Sequence, residues 1–118
     1  MTTTAERSYV APRAVARALD KMPGDTVLER LADTFAALSD PTRLRILYAL
    51  SRAELCVCDL SASLEISESN CSHQLSRLKL LRLVRSRRDG KHIFYSLDDE
   101  HIERLFADGL EHVRERRP

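Results

Sequence analysis

Ser67-Glu68-Ser69-Asn70-Cys71-Ser72-His73-Gln74-Leu75-Ser76-Arg77-Leu78-Lys79-Leu80 has the spacing of an amphipathic helix running from Glu68 to about Leu80. Cys71, Leu75 and Leu78 recur at i, i+4 and i+7, the interval that stacks side chains on one helical face. The opposite face is polar, with Ser69, Asn70, Ser72, His73 and Arg77. Ser67 stands where its hydroxyl can accept a bond from an otherwise unpaired N–H of the first turn. Just upstream, Cys58 to Leu64 reads as a short helix and Glu65-Ile66-Ser67 as a tight connection. Two short helices joined by three residues, the second with a hydrogen-bonding outer face, make the layout of a helix-turn-helix.

Downstream the period changes. Leu83 to Arg88 and Lys91 to Leu97 are short and β-leaning, and Ile93, Tyr95 and Leu97 alternate with His92, Phe94 and Ser96. Asp89-Gly90 between them is the expected two-residue hairpin turn, because such turns need positive φ. This hairpin carries Arg85, Arg87, Arg88, Lys91 and His92 and reads as a DNA-binding wing. Asp98-Asp99-Glu100 suits the positive end of a last helix, whose apolar stripe is Ile102, Leu105, Phe106, Gly109, Leu110 and Val113.

Upstream, Asp40 is a good N-cap and Pro41 fits the first helical position, opening a helix to about Leu50. Val27, Leu28, Leu31, Phe35 and Leu38 mark another helix from Thr26 to Leu38, after the Pro23-Gly24 break. Residues 1–23 read as a flexible N-terminal arm in which Ala11 to Leu19 has short-helix potential. The fold expected is mainly α with a β-hairpin: a winged helix-turn-helix DNA-binding domain over residues 24–118.

A length of 118 residues with 43% hydrophobic and 31% charged composition suits one globular domain. No apolar run approaches the roughly 18 to 20 residues needed to span a bilayer, so no membrane partner is expected. Met1 to Asp20 lacks the continuous apolar segment of a secretory signal, and Cys56, Cys58 and Cys71 are few and odd in number, which points to reduced thiols in the cytoplasm. The net charge of +1 conceals an asymmetry: from Gln74 to Lys91 seven basic residues face Asp89 alone. That local block suggests an anionic partner; alone, such a run is more often a solvated surface, and it is the helix-turn-helix and wing layout that turns the reading toward double-stranded DNA.

Glu54-Leu-Cys-Val-Cys-Asp-Leu60, Ser67-Glu-Ser-Asn-Cys-Ser-His-Gln-Leu75 and Asp89-Gly-Lys-His-Ile-Phe-Tyr95, in this order and spacing, resemble the ArsR/SmtB metal-sensing repressors. Asp40-Pro-Thr-Arg-Leu-Arg-Ile-Leu47 is similar to the family's second-helix signature. The resemblance covers about residues 26–115. It implies a homodimeric repressor of metal efflux or detoxification genes that leaves its operator when metal binds.

Two metal sites are expected. Asp99, His101, His112 and Glu115 lie on the last helix. His101 and His112 are eleven residues apart, so they share a flank within ~20° but sit roughly 16 Å apart along the axis. One ion cannot bind both at bond lengths near 2 Å. Antiparallel pairing of the helix with its twin brings Asp99 and His101 against the partner's His112 and the partner's Glu115, and two N with two O ligands suit tetrahedral Zn(II). The resemblance implies the same four positions. Singly, each is an ordinary surface residue.

Cys56 and Cys58 form a second, soft site for Cd(II), Pb(II), As(III) or Zn(II), provided Cys56 precedes its helix and Cys58 begins it, with Asp59 as a hard ligand beside them. The family's soft-metal members complete such a site with further thiols, whereas here residues 1–23 hold no Cys or His and position 61 is Ser61. The alternatives are two small packed residues, or a redox-sensing pair without metal. A thiol enzyme is set aside, since no acid–base partner neighbours the pair in sequence and no cofactor loop is present. Cys71 is read as packing. For DNA, Ser69, Asn70, Ser72, His73, Gln74 and Arg77 are the expected helix contacts, and Arg87, Arg88 and Lys91 the expected wing contacts to phosphate or minor groove.

Overall fold

A computed structural model of the chain describes residues 8–115. The chain divides into two compact units, with the boundary after Leu31. The first contains α1 (Pro12–Leu19), which Pro12 opens from its first position, and the start of α2 (Asp25–Ala37). Pro12–Leu19 is thus regular helix inside the stretch read as an arm.

The second unit holds the rest of α2, α3 (Pro41–Arg52), β1 (Leu55–Cys56), α4 (Val57–Leu64), α5 (Glu68–Leu80), β2 (Val84–Asp89), β3 (His92–Leu97) and α6 (Glu100–Arg114). Its core follows the apolar periodicities. Ile46, Leu47 and Leu50 of α3, Leu60 of α4 and Cys71, Leu75 and Leu78 of α5 close on Leu83, just before β2, and on Val84, Tyr95 and Leu97 of the sheet. Ile102 and Phe106 of α6 pack against this cluster, and the Phe106 ring lies 6.0 Å from that of Tyr48. Cys71 is fully buried, as its position on the stripe requires.

The caps are formed by the residues that sequence chemistry selects. Asp40 Oδ2 accepts from the Arg43 amide at 3.0 Å, and Ser67 Oγ from the Asn70 amide at 3.0 Å. Both α4 and α5 end in paired bonds that wrap back around a left-handed residue. Ile66 and Glu65 amides donate to Ser61 and Ala62 carbonyls, and Leu83 and Arg82 amides to Leu78 and Lys79 carbonyls. Glu65 and Arg82 therefore stand at φ +57° and +60°, the place usually given to glycine.

The hairpin forms, but its turn is displaced by one residue from the expected Asp89-Gly90. Asp89 pairs with His92, so the turn is Gly90-Lys91. Either register keeps Val84 on the same face as Tyr95 and Leu97, so packing does not choose between them. The backbone does: Gly90, at φ +63°, occupies the first central position, the one place a type II′ turn needs positive φ. The sheet also has a third strand. Its order is β1-β3-β2, with Leu55 opposite Tyr95 and Cys56 opposite Phe94.

Candidate nucleic-acid interface and metal centres

α5 presents Ser69, Asn70, Ser72, His73 and Arg77 on its exposed face. Short polar side chains there are the type that reads base edges, while Arg77 is suited to phosphate. Gln74 differs. It is half-buried, and its Oε1 accepts from Arg43 Nε at 3.0 Å while its Nε2 reaches Asn70 Oδ1 at 3.5 Å. Arg43 also donates to the Ala37 carbonyl at 3.3 Å, so a single guanidinium ties the end of α2 and the start of α3 to the middle of α5. Gln74 is anchored inward in this structure.

Among the wing residues, Arg88 and Lys91 are exposed beside the turn. Arg87 is engaged by its own chain. It donates to both Glu54 oxygens, at 2.9 and 2.7 Å, and its guanidinium lies 4.8 Å from the centre of the Phe94 ring. The Arg87 hydrogen bond holds the Glu54 carboxyl below its ordinary range, and the same bond raises Arg87. Lys79 Nζ donates to Ser86 Oγ at 2.8 Å, fastening α5 to the wing.

The thiol pair sits where β1 gives way to α4. Cys56 ends the strand and stands at the N-cap position of α4 without a side-chain capping bond, and Cys58 lies in the first turn, so the pair is not on one continuous helix. This is the geometry that lets residues two apart converge. Their sulfurs are 3.7 Å apart. Two thiolates on one tetrahedral ion at ~2.3 Å stand about 3.8 Å apart, so the pair fits an ion without rearrangement. The neighbouring Cys56 sulfur, then desolvation, raise the Cys58 thiol above its ordinary range.

His92 joins this pair: a ring nitrogen and the two sulfurs all lie within 4.8 Å of one another. Sequence reasoning placed His92 in the wing and missed this proximity, which depends on the pairing of β1 with β3. Asp59 is not part of the group.

The four α6 residues are divided between the helix ends. Asp99 is the N-cap: its Oδ1 accepts from the Ile102 amide at 3.1 Å, and its Oδ2 lies 3.6 Å from His101 Nδ1. The Ile102 bond, helped by His101, holds the Asp99 carboxyl below its ordinary range. His112 lies in the last turn and Glu115 is the C-cap. Among the described residues these four do not gather within one chain.

No helix among the described residues is long and apolar enough to cross a membrane. Residues 40–86 match a family described as "Bacterial regulatory protein, arsR family". The chain is 48% identical over 87 residues to the transcriptional repressor SmtB homolog of Synechocystis sp., covering 74% of this chain and 66% of that one. It is 40% identical over 111 residues to the cadmium resistance transcriptional regulatory protein CadC homolog of Staphylococcus aureus, covering 93% of this chain and 91% of the relative. Its fold matches the homodimeric winged helix-turn-helix DNA-binding domain of Mb0332 from Mycobacterium bovis with a TM-score of 0.72 and 28% identity, over 81% of this chain and 95% of that one.

Proposed function

This chain belongs to the ArsR family of bacterial regulatory proteins, and from that premise we propose that it is a cytoplasmic, homodimeric repressor that Zn(II) or a thiophilic ion removes from its operator. The protein is a winged helix-turn-helix transcriptional regulator, and its relatives are regulators rather than enzymes. In the proposed scheme the metal-free dimer sets its two α5 helices in successive major grooves of an inverted repeat. Ser69, Asn70, Ser72 and His73 read bases, Gln74 supports them from the Arg43 tether, Arg77, Arg88 and Lys91 form the basic surround, and Arg87 holds the wing in place through Glu54.

The 3.7 Å approach of Cys56 and Cys58, beside a wing histidine, carries the metal reading. The pair supplies soft donors suited to Cd(II), Pb(II), As(III) or Zn(II). Asp99 and His101, with the partner's His112 and the partner's Glu115, supply the N and O set suited to Zn(II). Either ligand set, once filled, favours a dimer geometry in which the two reading heads no longer match successive grooves. The genes controlled are then those of metal efflux or detoxification.

The test is fluorescence anisotropy of a duplex selected from a random pool. The metal-free protein binds it, and Zn(II) or Cd(II) at one equivalent per protomer weakens binding by at least about fivefold, the low end of ordinary allosteric coupling. Binding indifferent to every such ion would overturn the reading.

A further inference from the structure

We infer that His92 is the third ligand of the Cys56–Cys58 pair, so that each protomer holds a thiophilic divalent ion by itself and that ion clamps the wing to the start of α4. The inference rests on the metal-responsive reading above and adds a ligand and a route to the wing.

The backbone register makes the arrangement. β1 and β3 pair Leu55 with Tyr95 and Cys56 with Phe94. Two further steps along that register set Cys58 opposite His92. The chain turns into α4 at Val57 instead, and the turn keeps Cys58 close to the histidine. All three ligand atoms lie within 4.8 Å of one another, and the sulfurs already stand at the separation one ion imposes.

The three groups differ in freedom. Cys56 is buried at the end of a strand, and Cys58 is exposed, its backbone held in the first turn of a helix. His92 is exposed and follows the Gly90-Lys91 turn directly, its ring resting edge-on to Phe94 at 6.3 Å. Cys56 is therefore the fixed part of the cradle, and the exposed Cys58 and His92 side chains close onto an ion beside it. Binding a divalent ion displaces two thiol protons to solvent and takes the lone pair of one neutral imidazole nitrogen, giving two thiolates and one nitrogen on the ion. A fourth position stays open to water. Two sulfurs and one nitrogen suit Zn(II) and Cd(II).

The consequence falls on the wing. Lys91 adjoins His92 in the chain, and Arg88 pairs with Ile93 across the hairpin. Drawing the imidazole onto the sulfurs moves the turn toward α4 and carries these two cations with it. A wing placed for phosphate in the metal-free protein is then misplaced, and operator affinity falls.

The experiment is a Co(II) titration of the reduced full-length chain in a His101→Ala/His112→Ala background, which silences α6, followed by absorption. The parent is expected to show sulfur-to-cobalt charge transfer with tetrahedral visible bands. His92→Ala keeps the charge-transfer band and loses Co(II) affinity at least about tenfold, the scale of a disrupted metal site. His92→Cys restores affinity and strengthens the band, as a third thiolate must. If His92→Ala binds Co(II) as tightly as the parent with an unchanged spectrum, His92 is not a ligand, and the thiolate site stands without it. If the parent shows no charge-transfer band, the thiolate site and this inference fall together, and sensing passes to α6.

Discussion

Arg87 shows how a single residue changes role between sequence and structure. In the sequence it is one cation of a basic hairpin, equivalent to Arg88 and Lys91. In the structure it forks onto Glu54 and lies over Phe94, so its charge is matched within the chain and its position holds the wing against the residues leading into β1. The salt dependence of operator binding separates the two roles. Lys91→Ala and Arg88→Ala should each lower the slope of log affinity against log salt by about 1, the signature of one lost phosphate contact. Arg87→Ala should change the slope far less, because its charge is already spent on Glu54. A slope change for Arg87→Ala as large as for Lys91→Ala would make it a DNA contact after all. His92 underwent the opposite shift. Its chemistry was evident from its side chain, but its neighbours were not, because the sequence separates it from Cys56 by thirty-six positions and only strand pairing closes that gap.

Elements were legible where their ends are set by local chemistry. Asp40 and Ser67 cap α3 and α5 because their side-chain oxygens satisfy amides that the helix leaves unpaired. Replacing either with Ala should lower unfolding free energy by about 1 kcal/mol, measured by chemical denaturation. Ser67→Ala should also loosen the start of α5, the helix proposed to read DNA, so its effect on operator affinity should exceed that of Asp40→Ala. Elements were illegible where the deciding interaction is distant. β1 has two residues, too few for alternation to show, and exists because β3 offers it a partner. An Asp-Gly pair satisfies the general turn preference, so the sequence points to a turn at Asp89-Gly90, one residue before the observed Gly90-Lys91. Selecting between the two registers needs the actual sign of φ at each position. Glu65 and Arg82 were invisible as left-handed residues for a related reason: the bonds that follow each helix impose that conformation on residues that do not advertise it.

For the whole molecule, charge and apolar surface point to two different partners. The basic block from Gln74 to Lys91 falls on α5 and the wing, one continuous reading unit. The last helix keeps Leu105 and Val113 exposed, at 38% and 63%, while Ile102 and Phe106 pack inward. An apolar flank left open on the helix that bears the divided Asp99–His101 and His112–Glu115 pairs suits a second copy of the chain. Leu105→Lys with Val113→Lys should shift the protein from dimer to monomer in analytical ultracentrifugation and weaken Zn(II) binding at α6 in the same variant. Dimerisation unaltered by that change would move the subunit contact elsewhere. The helix-turn-helix, its wing and its core were readable from periodicity. The proposed α6 site is legible only as an arrangement between chains, since His101 and His112 stand eleven positions apart in one.

In the proposed mechanism metal and operator compete through one coupling free energy, which must be the same read from either side. The most direct measurement is the affinity of the reduced protein for Zn(II) or Cd(II), by competition with a chelator, with and without saturating operator duplex. The operator should weaken metal binding by the same factor by which metal weakens operator binding. Metal affinity unchanged by saturating operator would contradict it.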